Sequence, residues 1–256
     1  MTKTTDQKGF TLVELAIVMI IIGLLIGGIL KGQELITNAQ VASTVTQMKG
    51  IDAAISTFRD SYAAMPGDMD DATTRLPGCN AAPNCGDNPN LPDGRINGVS
   101  AGQAPPNVAS ENAQVWLHLS AADLLGGVQD TNAAGLTFGE IMPAGNVGGG
   151  FFIGYHQGGA QLPGQQAGPN PRGGHYISLS GDPGGNVGSS SISDVISASQ
   201  AARIDRKVDD GTPGTGSVVA ASSGAAAGNC IAPTDPDAYD EANDSISCAI
   251  HFRIQQ

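Results

Sequence analysis

Residues 10–30 constrain what this chain can fold into more than any other stretch. From Phe10 to Leu30 the sequence is almost wholly apolar, and Glu14 carries its single charge. As an α-helix the run rises about 32 Å at 1.5 Å per residue, enough to cross a hydrocarbon core of roughly 30 Å. The pattern therefore predicts a membrane-spanning helix. A carboxylate inside such a span is costly and marks a functional position, and Glu14 lies in the first turns, where the helix dipole favours negative charge. Ahead of the run lie residues 1–9, with Lys3 and Lys8 set against Asp6. That short, mildly basic segment predicts an N-terminus held in the cytoplasm and a remainder sent across the membrane. A secretory signal is cut after its apolar run; the candidate cut here is before it, at Gly9, so the helix stays on the mature chain.

Gly9-Phe10-Thr11-Leu12-Val13-Glu14 and the apolar tail that follows closely resemble the signal sequence of type IV prepilins and type II secretion pseudopilins. In that family a prepilin peptidase cleaves after the glycine and methylates the new terminus. The resemblance implies cleavage between Gly9 and Phe10, N-methylation at Phe10, and Glu14 as the family's glutamate. It also implies assembly with other pilin or pseudopilin subunits at an inner-membrane platform, through a helix first stored in membrane lipid. Once freed, the Phe10 ammonium stands at an i,i+4 spacing from Glu14. The attraction of opposite charges in a low-dielectric setting offsets much of their desolvation. The amine that Glu14 meets belongs either to a neighbouring subunit, which sets axial register, or to its own chain.

Composition bounds the remainder. Of 256 residues, 36 are Gly and 15 Pro, against six Phe, four Tyr and one Trp, which predicts a modest core ringed by long loops. The net charge of −12 counts against nucleic-acid binding by the soluble part. Cys79, Cys85, Cys230 and Cys248 form no CxxC pair, and His251 is the only nearby histidine, which argues against a zinc site. Nearest-neighbour pairing gives Cys79–Cys85 and Cys230–Cys248, suited to a periplasmic setting; the other two connectivities stay open.

Beyond Leu30, Val41, Val45, Met48, Ile51, Ile55, Phe58 and Tyr62 recur at steps of three and four. This one-sided stripe continues the helix to Met65, where Pro66-Gly67 ends it. The expected organisation is a leader (1–9), a transmembrane and assembly helix (10–30), a soluble half-helix (31–65) and a globular head (66–256). Within the head, 111–125 reads as a second helix around Trp116, and 151–155 and 175–179 as strands. Residues 192–208 read as a third helix, 216–221 as a strand and 245–254 as a well-alternating final strand. Together these elements predict an α+β fold, an antiparallel sheet laid on the long N-terminal helix, as in pilins.

Residues 62–68 and 204–216 resemble soluble-domain segments of a prepilin subgroup. Within and near them, Asp205, Asp209 and Asp210 are candidate calcium ligands, as are Asp235, Asp237, Asp240, Glu241 and Asp244. The alternative is a solvated acidic loop whose carboxylates serve turns. No other cofactor is expected. The usual hydrolase and nucleotide-binding motifs do not occur, and His118, His156, His175 and His251 are scattered, so the expected role is not enzymatic. Two readings follow: a structural subunit of a type IV pilus or secretion pseudopilus, or a minor tip subunit or adhesin whose glycine-rich head binds a ligand.

Overall fold

The computed structural model describes residues 11–79, 85–86, 92–97, 109–128, 137–166, 168–181, 192–223 and 230–254. The chain divides into two compact units, Met1–Gln40 and Val41–Gln256. The division falls inside helix α1, Leu12–Tyr62. Within the first unit the apolar side chains of α1 from Leu12 to Ile36 are exposed. An 18-residue window has mean hydropathy 2.8, and none of it is buried, so α1 is long and apolar enough to cross a membrane. From Val41 onward the helix turns its stripe inward: Val41, Thr44, Val45, Met48, Ile51, Ala54, Ile55 and Phe58 are buried. The 3.6-residue period thus has its partner in the second unit.

Helix α1 stops at Tyr62 rather than at Met65. Ala63 adopts a left-handed φ of 53° while its N–H still reaches Arg59 O at 2.8 Å, so the chain has already turned before Pro66 is reached. Residues 65–69 are buried. A short helix α2 follows at Ala72–Arg75, then α3 at Glu111–Ala121. Trp116 is fully buried in α3, and burial runs unbroken from Glu111 to Leu119.

Among the described residues the sheet is antiparallel and five-stranded. Its strands are β1 (Gly150–His156), β2 (Gly174–Ser180), β3 (Ile196–Ser197), β4 (Val218–Ala221) and β5 (Ile246–Arg253). Strand β5 is central: it pairs with β2, which pairs with β1, and it also pairs with β3 and with β4. Exposed edges invite further pairing, and here the outer edges are engaged by loops. On β1, Phe151 N–H donates to Pro143 O and Tyr155 N–H to Ile96 O; on β4, Ala220 N–H donates to Pro213 O.

The expected helix over 192–208 is shorter in the structure. Residues up to Ser197 are extended along β5, with Val195 N–H donating to Cys248 O at 2.8 Å. Helix α4, Ala198–Val208, starts only after Ser197. The Ser197 hydroxyl accepts from Gln200 N–H while the Gln200 side chain accepts from Ser197 N–H. This reciprocal cap fixes where the helix begins. The architecture is α+β and pilin-like, a long N-terminal helix with an antiparallel sheet.

Candidate functional site

The first described residues hold a capping box. Thr11 N–H and Thr11 Oγ1–H donate to Glu14 Oε2 at 2.9 and 2.8 Å, and Glu14 N–H donates to Thr11 Oγ1 at 3.3 Å. Thr11 is thus the N-cap of α1 and Glu14 its third helical residue. The pair satisfies two donors that a helix start otherwise leaves open. Glu14 Oε1 makes no hydrogen bond among the described residues. Gly9 and Phe10 lie outside the described residues. Glu14, expected from the sequence to supply a charge for register, thus has a second task as part of a cap, and Thr11-x-x-Glu14 is the local signature of it.

The cysteines form Cys79–Cys85 and Cys230–Cys248. Cys79, Cys85 and His118 lie close enough to suggest a metal group, but a disulfide has no thiolate to offer. His118 is occupied too: Nδ1 accepts from Gly67 N–H at 2.9 Å and Nε2 donates to Gly86 O at 3.2 Å.

Asp205, Asp209 and Asp210 are brought together, with ligand atoms within 4.8 Å of one another. Five of their six oxygens already have donors, Asp209 Oδ1 having none among the described residues. Asp205 accepts from Tyr239 Oη at 2.8 Å and from Gly211 N–H at 3.2 Å. Asp209 accepts from Ser217 N–H, Ser217 Oγ and Val218 N–H, and Asp210 from Thr212 N–H and Thr215 Oγ1. Of the second acidic group, Glu241 is paired with Arg206, and Asp235 caps its own turn through Asp237 N–H. Burial lifts the Asp205 carboxyl to about 7, against the opposing pull of its two donors and with help from the charges of Asp210 and Asp209. Burial and the adjacent Asp205 likewise push the Tyr239 hydroxyl well above its ordinary range.

All four histidines are buried, and each ties one stretch of backbone to another. His175 Nε2 accepts from Ile96 N–H at 3.1 Å, and His156 Nε2 donates to Ala160 O at 3.0 Å. His251 Nε2 donates to Pro163 O at 2.9 Å, which leaves Nδ1 to accept from Ser178 Oγ at 2.7 Å. Such pairings hold the neutral ring in one tautomer; for His251, burial lowers the ring to about 4. The histidines are separate loop fasteners rather than a cluster, and only the tertiary fold could reveal that.

The described residues therefore define a class of protein: an α+β head on a single apolar, capped N-terminal helix. The family model described as the prokaryotic N-terminal methylation motif matches residues 4–30, the prepilin-type signal of type IV pilins and pseudopilins. The chain is thus type IV pilin- or pseudopilin-like at its N-terminus. The motif and the apolar helix together point to membrane anchoring. No curated protein matches the chain, and no solved structure matches it.

Proposed function

We propose that this protein is a structural subunit of a type IV pilus or type II secretion pseudopilus. In this reading a prepilin peptidase cleaves after Gly9 and methylates Phe10. The precursor waits in the inner membrane with residues 1–9 in the cytoplasm and the head in the periplasm, then joins other subunits through residues 10–30. The observation that carries the proposal is the methylation motif over residues 4–30, continuous with an α1 surface that stays exposed through Ile36. Apolar helix faces left exposed among the described residues suit lipid first and neighbouring helices afterwards. Two disulfides support an oxidising compartment for the head.

Within this scheme Glu14 has two tasks. Oε2 closes the helix cap, and Oε1 remains for the Phe10 ammonium of the same or a neighbouring chain. The Asp205, Asp209 and Asp210 trio acts as loop caps rather than as a calcium site, since five of its six oxygens are engaged by protein donors. The intact mass of the membrane-extracted protein tests the processing: loss of residues 1–9 and gain of one methyl group is expected. Retention of residues 1–9 in wild-type cells would refute it.

A further inference from the structure

Asn243-Asp244-Ser245 is the only Asn-x-Ser or Asn-x-Thr in the sequence, its middle residue is not proline, and an acid, Glu241, stands two residues ahead of it. This spacing is the acceptor pattern for N-linked glycans, which calls for a surface loop in an exported domain. The fold supplies such a loop. The motif lies between Cys230 and Cys248, whose disulfide ties the two ends of the segment together, and it runs directly into β5 at Ile246. The chain ahead of it is pinned to α4: Tyr239 Oη donates to Asp205 Oδ2 at 2.8 Å, and Glu241 pairs with Arg206. Between these pins and β5, Ala242, Asp244 and Ser245 are exposed and Asn243 is half-buried.

The acceptor amide is held by its oxygen alone. Asn243 Oδ1 accepts from Ser245 N–H at 3.1 Å and from Ser245 Oγ, the local turn that an Asn side chain makes with backbone two residues on. The Asn243 backbone N–H donates to Asp240 O at 3.0 Å. Nδ2 makes no hydrogen bond among the described residues, so a substituent on it breaks none of these contacts. An amide nitrogen shares its lone pair with the carbonyl, and its substitution therefore needs an enzyme and an activated donor. We infer that Asn243 is an N-glycosylation site, modified by a membrane oligosaccharyltransferase from a glycan carried on a polyprenyl diphosphate. In that step the bond from Nδ2 to the sugar C1 forms and the bond from C1 to the diphosphate oxygen breaks. The lipid diphosphate leaves, Nδ2 gives up one proton to a base of the transferase, and nothing is oxidised or reduced. The inference rests on the proposed export of the head, since the loop must meet the lipid-linked donor on the far side of the membrane from the cytoplasm.

The test is tandem mass spectrometry of the full chain extracted from the membranes of its own cells, with fragmentation that leaves glycans attached. Trypsin releases residues 208–253 as one peptide, because no Lys or Arg lies between Lys207 and Arg253. That peptide should carry a sugar mass on Asn243. Asn243→Gln and Ser245→Ala should lose the mass, and Ser245→Thr, which keeps the hydroxyl, should retain it. Ser245 is exposed, and the fluorescence of buried Trp116 during urea unfolding checks that each variant has folded. A wild-type peptide at its bare mass overturns the inference, as does a sugar on a Ser or Thr of the peptide with Asn243 bare, or a Ser245→Ala peptide as fully modified as wild type. The N-terminal peptide of the same digest reports processing separately, since it begins at Phe10 if residues 1–9 have been removed and at Gly9 if trypsin alone has cut after Lys8. A start at Phe10 with Asn243 bare refutes the glycan and leaves the processing intact; a start at Gly9 with Asn243 modified upholds the glycan and refutes the processing.

Discussion

Replacing Asp205 by Asn should stabilise the protein at alkaline pH. Asp205 is fully buried, and its carboxyl titrates at about 7 in the fold against an ordinary 3.8. Between these values the folded chain holds a proton that the unfolded chain has released. The stabilisation associated with neutral Asp205 is therefore fully present below about pH 4 and is lost as pH rises through about 7. The gap corresponds to about 4 kcal/mol, an upper figure for a group that keeps two hydrogen bonds when charged. His251 runs the other way. Its ring titrates at about 4 in the fold against 6.5, so the unfolded chain binds the extra proton, and stability rises by about 3 kcal/mol as pH climbs from 4 to 6.5. In the wild type the two slopes oppose each other over most of that range.

An Asn at position 205 can accept from Gly211 N–H through Oδ1 and donate to Tyr239 Oη through Nδ2, reproducing the neutral acid without its ionisation. Asp205→Asn should match wild type near pH 4 and exceed it by a few kcal/mol at pH 8, with the rising His251 limb then visible. Trp116, the single tryptophan, is fully buried, so its fluorescence during urea unfolding of the full chain in detergent follows the head at each pH. A variant less stable than wild type at pH 8, or a stability difference that does not change with pH, would refute the linkage assigned to Asp205.

Other consequences are equally direct. Gly67 has φ +85°, and a Cβ there would stand 2.4 Å from Glu111 O, so Gly67→Ala should lower urea-unfolding stability by about 2 kcal/mol or more. The Cys230–Cys248 bridge closes a separation of 18 residues and Cys79–Cys85 one of 6. Loop-closure entropy then predicts losses of about 3 and about 2 kcal/mol respectively when each pair is replaced by Ser, measured by the same unfolding assay. Glu14→Gln keeps the capping box and removes the charge, so circular dichroism should show unchanged helicity while filament assembly falls. Filaments as abundant as in wild type would end the charge role assigned to Glu14. Calcium should leave the melting temperature of the full chain unchanged, because five of the six oxygens of Asp205, Asp209 and Asp210 already have protein donors; a stabilising shift would restore the metal reading.

What was legible in the sequence was whatever depends on neighbours along the chain. The apolar run of 10–30, the stripe from Val41 to Phe58 and the alternation of β5 each repeat a local period, and the period identifies the element. The start of α4 was also written locally, in Ser197-x-x-Gln200, but an apolar pattern reaching back to Ile192 masked it. The tertiary structure decided what distant segments contribute. Asp205 reads as one more loop acid until Tyr239 arrives from another segment to bury it. His118, His175 and His251 read as scattered residues until Gly67, Ile96 and Pro163 supply their backbone partners. Arg172 and Arg253 line one cleft only because β2 and β5 pair. A local pattern is set by the geometry of a single helix or strand, whereas the protonation of a buried group or the shape of a cleft depends on which remote atoms exclude water from it. For this protein the sequence alone determined the N-terminal helix and its motif, and packing determined the chemistry of the head.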